Sequence, residues 1–509
     1  MKLVIDNQRI RLSEWHEAWR RPVTVELGEN ACRRVAASNK LIVDVVAGGE
    51  RVYGVNTGFG QLAQVHIDDD ELAHLQANLV RSHSVGVGDA LDDDLVRLVM
   101  LMKVIALAEG YSGVRLELIE ALCALINHGI YPLIPGQGSV GASGDLAPLA
   151  HLACVLIGIG EARVNGVTMP ARIALNEAGL EPVTLAPKEG LALLNGTQVS
   201  TALGLAAVFR TEDVLAAALV AGAMSSDAIK GSDTPFDPRI QALRGHAGQI
   251  AVAGVLRDLM QGSAIRASHI ACDRVQDSYS IRCQPQVVGA CLDVLRHVSA
   301  VLETEANAVT DNPLVFAESQ AVLSGGNFHA EPVALAADYL ALAIAEIGSL
   351  SERRTALLID ANLSGLPAFL VSEGGLNSGF MMAQVTAAAL TSENKTLAHP
   401  ASVDSIPTSA NQEDHVSMAT FAARRLHDML GNVTNIVAIE LLAAARGIEF
   451  HRPEKSSPAI EQVIATIREV SPPFTDDRSL SPDITGVAGL IGTGRFCRHA
   501  SAVLPRMNP

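Results

Sequence analysis

The sequence is poor in aromatic and charged residues. Aromatic residues make up 4% and charged residues 18% of its 509 residues, whereas hydrophobic residues make up 49%. Intrinsic disorder requires the opposite balance, with low apolar content and high charge density. The 38 Lys and Arg residues against 55 Asp and Glu residues give a formal net charge of −17. This acidity argues against a nucleic-acid partner, because neutralising phosphates requires clustered Lys and Arg.

Cysteine motifs are also lacking. The seven cysteines are an odd number, and none of them forms a CxxC pair. The pattern therefore indicates neither a disulfide framework nor a zinc ribbon, and we expect no metal site. A long chain with unpaired cysteines favours a reducing, cytoplasmic location.

Membrane and export signals are absent from the sequence pattern. Residues 1–22 contain no uninterrupted apolar segment of the kind that a secretory signal needs. No stretch reaches the roughly 18 uncharged apolar residues of a membrane span. The nearest, 332–350, is interrupted by Asp338 and Glu346 and is predicted to be a core helix. We therefore expect no membrane partner.

Long helices are predicted for the second half of the chain. Helices that are apolar on most of their surface must be buried on several sides, which favours a bundle extended by association of chains. Near the amino terminus, Val4–Ile5 and Val23–Val25 fit edge strands. Asp92–Asp94 marks a helix start, followed by apolar residues on roughly one face. The Ala- and Leu-rich segments of the second half are 199–224, 284–306, 332–361 and 415–446.

Residues 128–149 are rich in Gly and Pro and are predicted to form a turn-rich loop. Gly136, Gly138 and Gly141 match GxGxxG, but a dinucleotide fingerprint needs a strand directly before it. We expect Pro132 and Pro135 to disrupt that strand. A nucleotide site is therefore not predicted.

Ser143 lies in the same loop. A nucleophile elbow, GxSxG, needs glycine two places after the serine, and that place is Asp145. The tripeptide Ala142–Gly144 suggests different chemistry. Glycine lets the Gly144 amide nitrogen approach the Ala142 carbonyl. Cyclisation with loss of water, and loss of the Ser143 hydroxyl, would leave a methylidene-imidazolone, which is a strong electrophile. Taken alone, these common turn residues would better fit an ordinary flexible loop.

The run from Gly138 to His151 resembles the signature of the aromatic amino acid ammonia-lyases, which carry the prosthetic group 4-methylidene-imidazole-5-one (MIO). The resemblance covers roughly residues 50 to 450. Five further blocks occur in the family's order: Tyr53–Gly60, Leu194–Thr197, Gln276–Gln286, Gly325–His329 and Asn411–His415.

The resemblance implies a mainly α fold, a long-helix bundle of the fumarase/aspartase-like lyase type, with a smaller N-terminal MIO-bearing part containing short strands. We expect the N-terminal domain at 1–195 and the central and C-terminal bundle at 196–509. The family implies a homotetramer whose active sites each draw on several subunits. It also implies that Ala142, Ser143 and Gly144 cyclise autocatalytically to MIO, so that no external cofactor is required.

The family's catalytic residues match positions in this chain. Tyr53 is the first candidate for the base that removes the substrate's β-proton, although a free tyrosine has a pKa near 10. Tyr279 and Glu413 are expected to share the acid–base work, and the sequence leaves its division open. In substrate binding, the resemblance implies that Arg282 clamps the carboxylate and Asn195 hydrogen-bonds the carboxylate or amine.

Gln276 is expected to line the same pocket, with Phe328 beside the MIO ring. The pair Ser82–His83, together with Glu413, resembles the family's histidine-specific members. His83 and Glu413 would hydrogen-bond an imidazole, whereas a phenyl ring would leave them unpaired at a cost of about 1–3 kcal/mol each. Taken alone, they would better fit a core histidine and a solvated charge.

The resemblance therefore implies elimination of ammonia from L-histidine to give trans-urocanate, the first step of histidine degradation. Three alternatives stay open from the sequence: a tyrosine or phenylalanine lyase, an MIO-dependent aminomutase, and a non-catalytic scaffold.

Overall fold

The computed structural model describes residues 1–49, 51–58, 60, 64, 67–269 and 275–507 of the chain, and most of them are helical. The helices of the first half are α1 (Leu12–Arg20), α2 (Glu29–Ala47), α3 (Leu72–His83), α4 (Asp93–Ala108), α5 (Leu116–Asn127), α6 (Leu146–Leu156), α7 (Ala171–Glu177), α8 (Glu189–Leu194), α9 (Gln198–Ala228), α10 (Pro238–Arg244) and α11 (Ala247–Met260). Those of the second half are α12 (Ala264–Ala267), α13 (Tyr279–Arg282), α14 (Gln284–Ala306), α15 (Glu331–Ile359), α16 (Ala361–Ser364), α17 (Met381–Leu397), α18 (Ala419–Glu449), α19 (Pro458–Arg468) and α20 (Ser481–Gly492).

The strands are short and pair into small sheets. They are β1 (Lys2–Ile5), β2 (Thr24–Leu27), β3 (Val87–Ala90), β4 (Ile130–Pro132), β5 (Pro135–Gln137), β6 (Glu161–Val164), β7 (Val167–Pro170), β8 (Leu314–Phe316) and β9 (Ala321–Leu323). β1 and β2 run parallel, near the positions predicted for edge strands. The other pairs, β3–β5, β4–β6–β7 and β8–β9, are antiparallel.

The prediction that 128–149 contains no regular element is wrong at its first half. β4 and β5 lie there, and their prolines stand at strand ends, Pro132 last in β4 and Pro135 first in β5. Proline has no N–H group to donate to a neighbouring strand. A strand tolerates this loss more easily at its end than in its middle. The loop proper runs from 138 to the start of α6.

The helix predicted after Asp92 is present as α4, with two acidic residues in its first turn. Its predicted single apolar face is wrong, because every residue from 95 to 108 is buried. Two of the buried residues are basic. The Arg97 guanidinium donates to the backbone carbonyls of Ala18 and Trp19, which satisfies its charge inside the protein.

The four predicted long helices are present as α9, α14, α15 and α18. Two of them, α15 and α18, are long and apolar enough to cross a membrane by length and composition alone. Their most apolar windows are 67% and 72% buried inside the protein, which is typical of core helices.

The chain divides into two compact units, each built from three stretches of sequence. The first unit comprises residues 1–206, 300–338 and 400–424, and the second comprises 207–299, 339–399 and 425–509. All the strands described above belong to the first unit. The predicted domain boundary between residues 195 and 196 stays a prediction.

Candidate active site

The glycine-rich loop before α6 is held by two distant segments of the first unit. The Gly141 carbonyl accepts hydrogen bonds from the Ala330 amide (3.2 Å) and the Ser417 hydroxyl (2.8 Å). The Val140 carbonyl accepts from the Met418 amide at 2.8 Å. These contacts fix the backbone directly before Ala142.

Gly144 lies against a second glycine, Gly196, through an isolated β-bridge. Its φ is +75°, and a Cβ atom added there would lie 2.3 Å from the Gly196 carbonyl oxygen. The Asp145 amide donates to that same oxygen at 2.8 Å. Only glycine therefore fits at position 144, both in conformation and in space.

The buried Asp145 carboxylate accepts four hydrogen bonds and joins the loop to two helices. One oxygen accepts from the hydroxyls of Ser139 (2.9 Å) and Thr420 (2.6 Å). The other accepts from the amide (2.8 Å) and hydroxyl (2.9 Å) of Ser200. Sequence reasoning used Asp145 only to exclude a hydrolase and missed this role, although its place directly after the tripeptide was a usable signal.

Ser143 is half-buried, and its hydroxyl donates a 2.7 Å hydrogen bond to Oε1 of Glu413. The other carboxylate oxygen, Oε2, accepts from the hydroxyls of Thr408 (2.5 Å) and Ser409 (3.0 Å). Glu413 is thus oriented by its own loop and aimed at the tripeptide.

A cavity of about 1190 Å³ opens beside these residues, lined by side chains of the first unit. It brings together most of the site residues predicted from sequence: Tyr53, Ser82, His83, Ala142, Ser143, Asn195, Phe328 and Glu413. It also includes residues that sequence reasoning did not single out, although three of the four lie in or beside the family blocks: Asn312, Ser409, Gln412 and His415.

Tyr53 stands on a turn whose next apolar residue, Val55, is fully buried. Val55 packs in a cluster with Ile42 of α2 and Val315 of β8, which fixes the turn to the core. The Tyr53 hydroxyl accepts from the Gly60 amide at 3.4 Å. Phe59, within the same block, lies outside the described residues.

His83 ends α3, where its ring is oriented by the helix backbone. Its Nδ1 atom lies 2.8 Å from the Leu79 carbonyl oxygen, to which the Ser82 hydroxyl also donates at 3.1 Å. Because a carbonyl oxygen can only accept, Nδ1 is the donor in this contact, which makes Nε2 the acceptor in the neutral tautomer.

Asn195 is held from two sides. Its side-chain amide donates to the Asn312 carbonyl at 3.0 Å. The backbone carbonyls of Asn195 and Ala192 both accept hydrogen bonds from the ammonium group of Lys103. Lys103 is buried inside α4, and this burial lowers its pKa to about 7. The sequence pattern did not single out Lys103, because it lies within an otherwise apolar helix.

Gln276, Tyr279 and Arg282 belong to the second unit and are not among the described residues that line the cavity. The Tyr279 side chain is 70% exposed, and the Arg282 guanidinium lies over its ring, with Cζ 4.5 Å from the ring centroid. Cys272, whose reactivity the sequence left open, lies outside the described residues.

The family model for aromatic amino acid lyases matches residues 10–469. The chain belongs to the aromatic amino acid lyase family. Among curated relatives, histidine ammonia-lyase of Aromatoleum aromaticum is 62% identical over 472 residues, which cover 92% of this chain and 90% of the relative.

Two solved structures show the same fold as this lyase. Histidine ammonia-lyase from Trypanosoma cruzi superposes with a TM-score of 0.92 at 42% identity, covering 100% of this chain and 97% of that one. Tyrosine aminomutase from Streptomyces globisporus superposes with a TM-score of 0.93 at 35% identity, covering 99% of each chain. The predictions of an aromatic amino acid lyase and of the mainly helical lyase fold are confirmed.

Proposed function

We propose that this lyase is a histidine ammonia-lyase, which converts L-histidine to trans-urocanate and ammonia and so begins histidine degradation. The observation that carries the proposal is the placement of His83 and Glu413 in the cavity that contains Ser143. An imidazole is the aromatic ring that satisfies both groups. The 62% identity to a relative named histidine ammonia-lyase supports the same choice.

The residues present fit an MIO group made from the chain itself. Glycine at 144 is required by the contact with Gly196, and Asp145 anchors the loop directly after the tripeptide. Once formed from Ala142, Ser143 and Gly144, the group supplies an electrophile for the substrate's amino group, which makes ammonia a better leaving group. No external cofactor is then required.

The imidazole ring is recognised by two hydrogen-bond acceptors. Nε2 of His83 accepts a hydrogen bond from one ring N–H, and the Glu413 carboxylate accepts from the other when the ring is protonated. Phe328 packs against the apolar side of the substrate, and Asn195 hydrogen-bonds its carboxylate or amine. Once the Ser143 hydroxyl has been lost, a phenyl ring would leave Nε2 of His83 and Oε1 of Glu413 without a partner, at a cost of about 1–3 kcal/mol each.

Proton removal is assigned to the Tyr53 hydroxyl oxygen, which takes the β-proton of the bound substrate. Tyr279 and Glu413 share the remaining acid–base work. A positioned base of this kind contributes about 10²–10⁴-fold to a rate. Arg282 clamps the substrate carboxylate through paired hydrogen bonds, which fix its orientation as well as its charge.

The proposed assembly is a homotetramer in the cytoplasm. Gln276, Tyr279 and Arg282 then reach the cavity of a neighbouring copy and complete it. Apolar side chains exposed on one stripe of α15, Leu335 (56%) and Leu342 (51%), support burial by another chain.

A spectrophotometric assay with L-histidine tests the function by following urocanate absorbance, with L-tyrosine and L-phenylalanine in parallel. We expect fast turnover of histidine and at least about 30-fold slower turnover of the other two, because two unpaired polar groups together cost about 2 kcal/mol or more. Comparable formation of coumarate or cinnamate would refute the ring assignment.

An aminomutase on the same scaffold is not favoured, since the aminomutase compared above is 35% identical and the histidine lyase relative 62%. Chromatography of the products separates the two reactions. The proposal predicts urocanate, and β-histidine as the main product would overturn it.

A further inference from the structure

We propose that His329, Glu331 and His415 form a binding site for one divalent transition-metal ion of the zinc type. Their potential ligand atoms all lie within 4.8 Å of one another. His329 lies two residues before Glu331, which is the first residue of α15, and His415 comes from the loop that carries Glu413. Motif spacing alone indicates no metal site, because folding brings these ligands together across 86 residues.

The environment of His329 suits a metal ligand. Its Nε2 atom lies 3.1 Å from the His415 backbone carbonyl oxygen. Since a carbonyl only accepts, Nε2 carries the proton and Nδ1 retains its lone pair. Ligating histidines almost always donate their other ring N–H to a carbonyl or carboxylate, which fixes the tautomer for the metal. The His329 and His415 rings lie beside each other, with centroids 5.7 Å apart.

The Glu331 carboxylate supplies a second, independent indication. Its Oε2 atom is buried and has no hydrogen-bond partner among the described residues. A buried carboxylate oxygen without a partner is costly, and native proteins satisfy almost all such groups. A cation between Glu331 and the two imidazoles would satisfy it.

The ligand set selects the class of ion. Two histidines and one glutamate are the protein ligands of a known class of zinc sites that keep a fourth position for water. Calcium and magnesium prefer oxygen ligands alone, so they are not expected here. A bound ion would tie the loop of Glu413 to the segment that follows Phe328. Binding of the ion is independent of the proposed elimination reaction and is tested without an activity measurement.

The test titrates chelator-treated full-length protein with ZnCl₂ by calorimetry and with CoCl₂ by visible absorption. Cobalt reports a tetrahedral site of nitrogen and oxygen ligands through its d–d bands. The decisive variant is Glu331→Gln, with His329→Gln as the second. The matched control is Glu71→Gln, which removes a carboxylate beside His74 (3.2 Å) at an exposed pair.

We expect one Zn²⁺ per chain, a rise in melting temperature on binding, and at least about tenfold weaker binding in both site variants. The control should bind as the unmodified chain does. Circular dichroism checks that each variant is folded, and His329→Gln serves if Glu331→Gln is not. Equal affinity in folded variants, thiolate-type cobalt spectra or no binding at all would overturn the proposal.

Discussion

The Ser143 hydroxyl donates a 2.7 Å hydrogen bond to Oε1 of Glu413, 270 residues further along the chain. The two side chains stand on separate loops, and the Ser417 and Met418 contacts to residues 140 and 141 bring those loops together. The residue proposed to become the electrophile and the residue proposed to bind the substrate ring are therefore positioned by the same set of contacts.

Replacing Glu413 tests its charge separately from its shape. Glu413→Gln keeps the side chain's size and an oxygen that can accept from Ser143, but it loses the negative charge. We expect at least about 100-fold lower kcat for histidine, because acid–base groups contribute 10²–10⁴-fold. Stability should change little, since the carboxylate is only half-buried.

The control for that variant is Glu181→Gln, at an exposed position of the first unit. It should leave kcat and KM unchanged. If Glu413→Gln retained the kcat of the unmodified enzyme, the acid–base and ring-binding role of Glu413 would be wrong.

Gly144→Ala should prevent formation of MIO. The added Cβ would lie 2.3 Å from the Gly196 carbonyl oxygen, so the backbones at 144 and 196 would have to separate. Alanine would also have to adopt the positive φ that glycine has at this position. Mass spectrometry of the peptide that spans residues 142–144 measures the result directly. The unmodified chain should lack the mass of two water molecules, and the variant should retain it.

Gly431→Ala is the matched control, since position 431 lies within α18 and an added Cβ meets nothing within 4 Å. Alanine there should stabilise the helix by about 0.5–1 kcal/mol and leave the mass loss intact. A Gly144→Ala peptide that still lacked two waters would contradict the steric argument.

The sequence predicted those parts of the molecule that local pattern determines. The four long helices follow from runs of Ala and Leu, and the start of α4 follows from its acidic first turn. Burial of Lys103 in that same helix could not be predicted, because its partners are backbone carbonyls 89 and 92 residues away. Local pattern likewise does not separate Tyr53, which lines the cavity, from Tyr279, which is exposed in the single chain.

Lys103 predicts a pH dependence of stability. Burial lowers its pKa from an ordinary value of 10.5 to about 7 in the folded protein. Between these values the unfolded chain binds more protons than the folded one, so stability from this group rises as pH rises from 7 towards 10.5. Below pH 7 both states are protonated, and the cost of burying the charge is paid in full.

Lys103→Met removes the titration. At pH 9, where the folded protein holds Lys103 neutral, the variant should be less stable, since two buried carbonyls lose their donor at about 1–3 kcal/mol each. The gain in melting temperature between pH 7 and pH 9 should be smaller than in the unmodified protein. Lys40→Met, at an exposed position of α2, should keep the full gain. An unchanged gain in Lys103→Met would show that other groups set this dependence.

Mixed assemblies test whether Tyr53 and Tyr279 act from different chains. Tyr53→Phe and Tyr279→Phe each remove one hydroxyl, and each homo-oligomer should lose at least about 100-fold in kcat. If each site takes Tyr53 from one chain and Tyr279 from another, random co-assembly of the two variants restores about a quarter of the sites. Coexpression of the two chains with different affinity tags, followed by tandem purification and the urocanate assay, measures that recovery.

If both hydroxyls came from the same chain, every site would lack one of them, and the mixed enzyme would be no faster than the better single variant. Tyr279 is exposed beside Arg282 in the second unit, whereas the cavity is lined by residues of the first unit. This difference favours recovery.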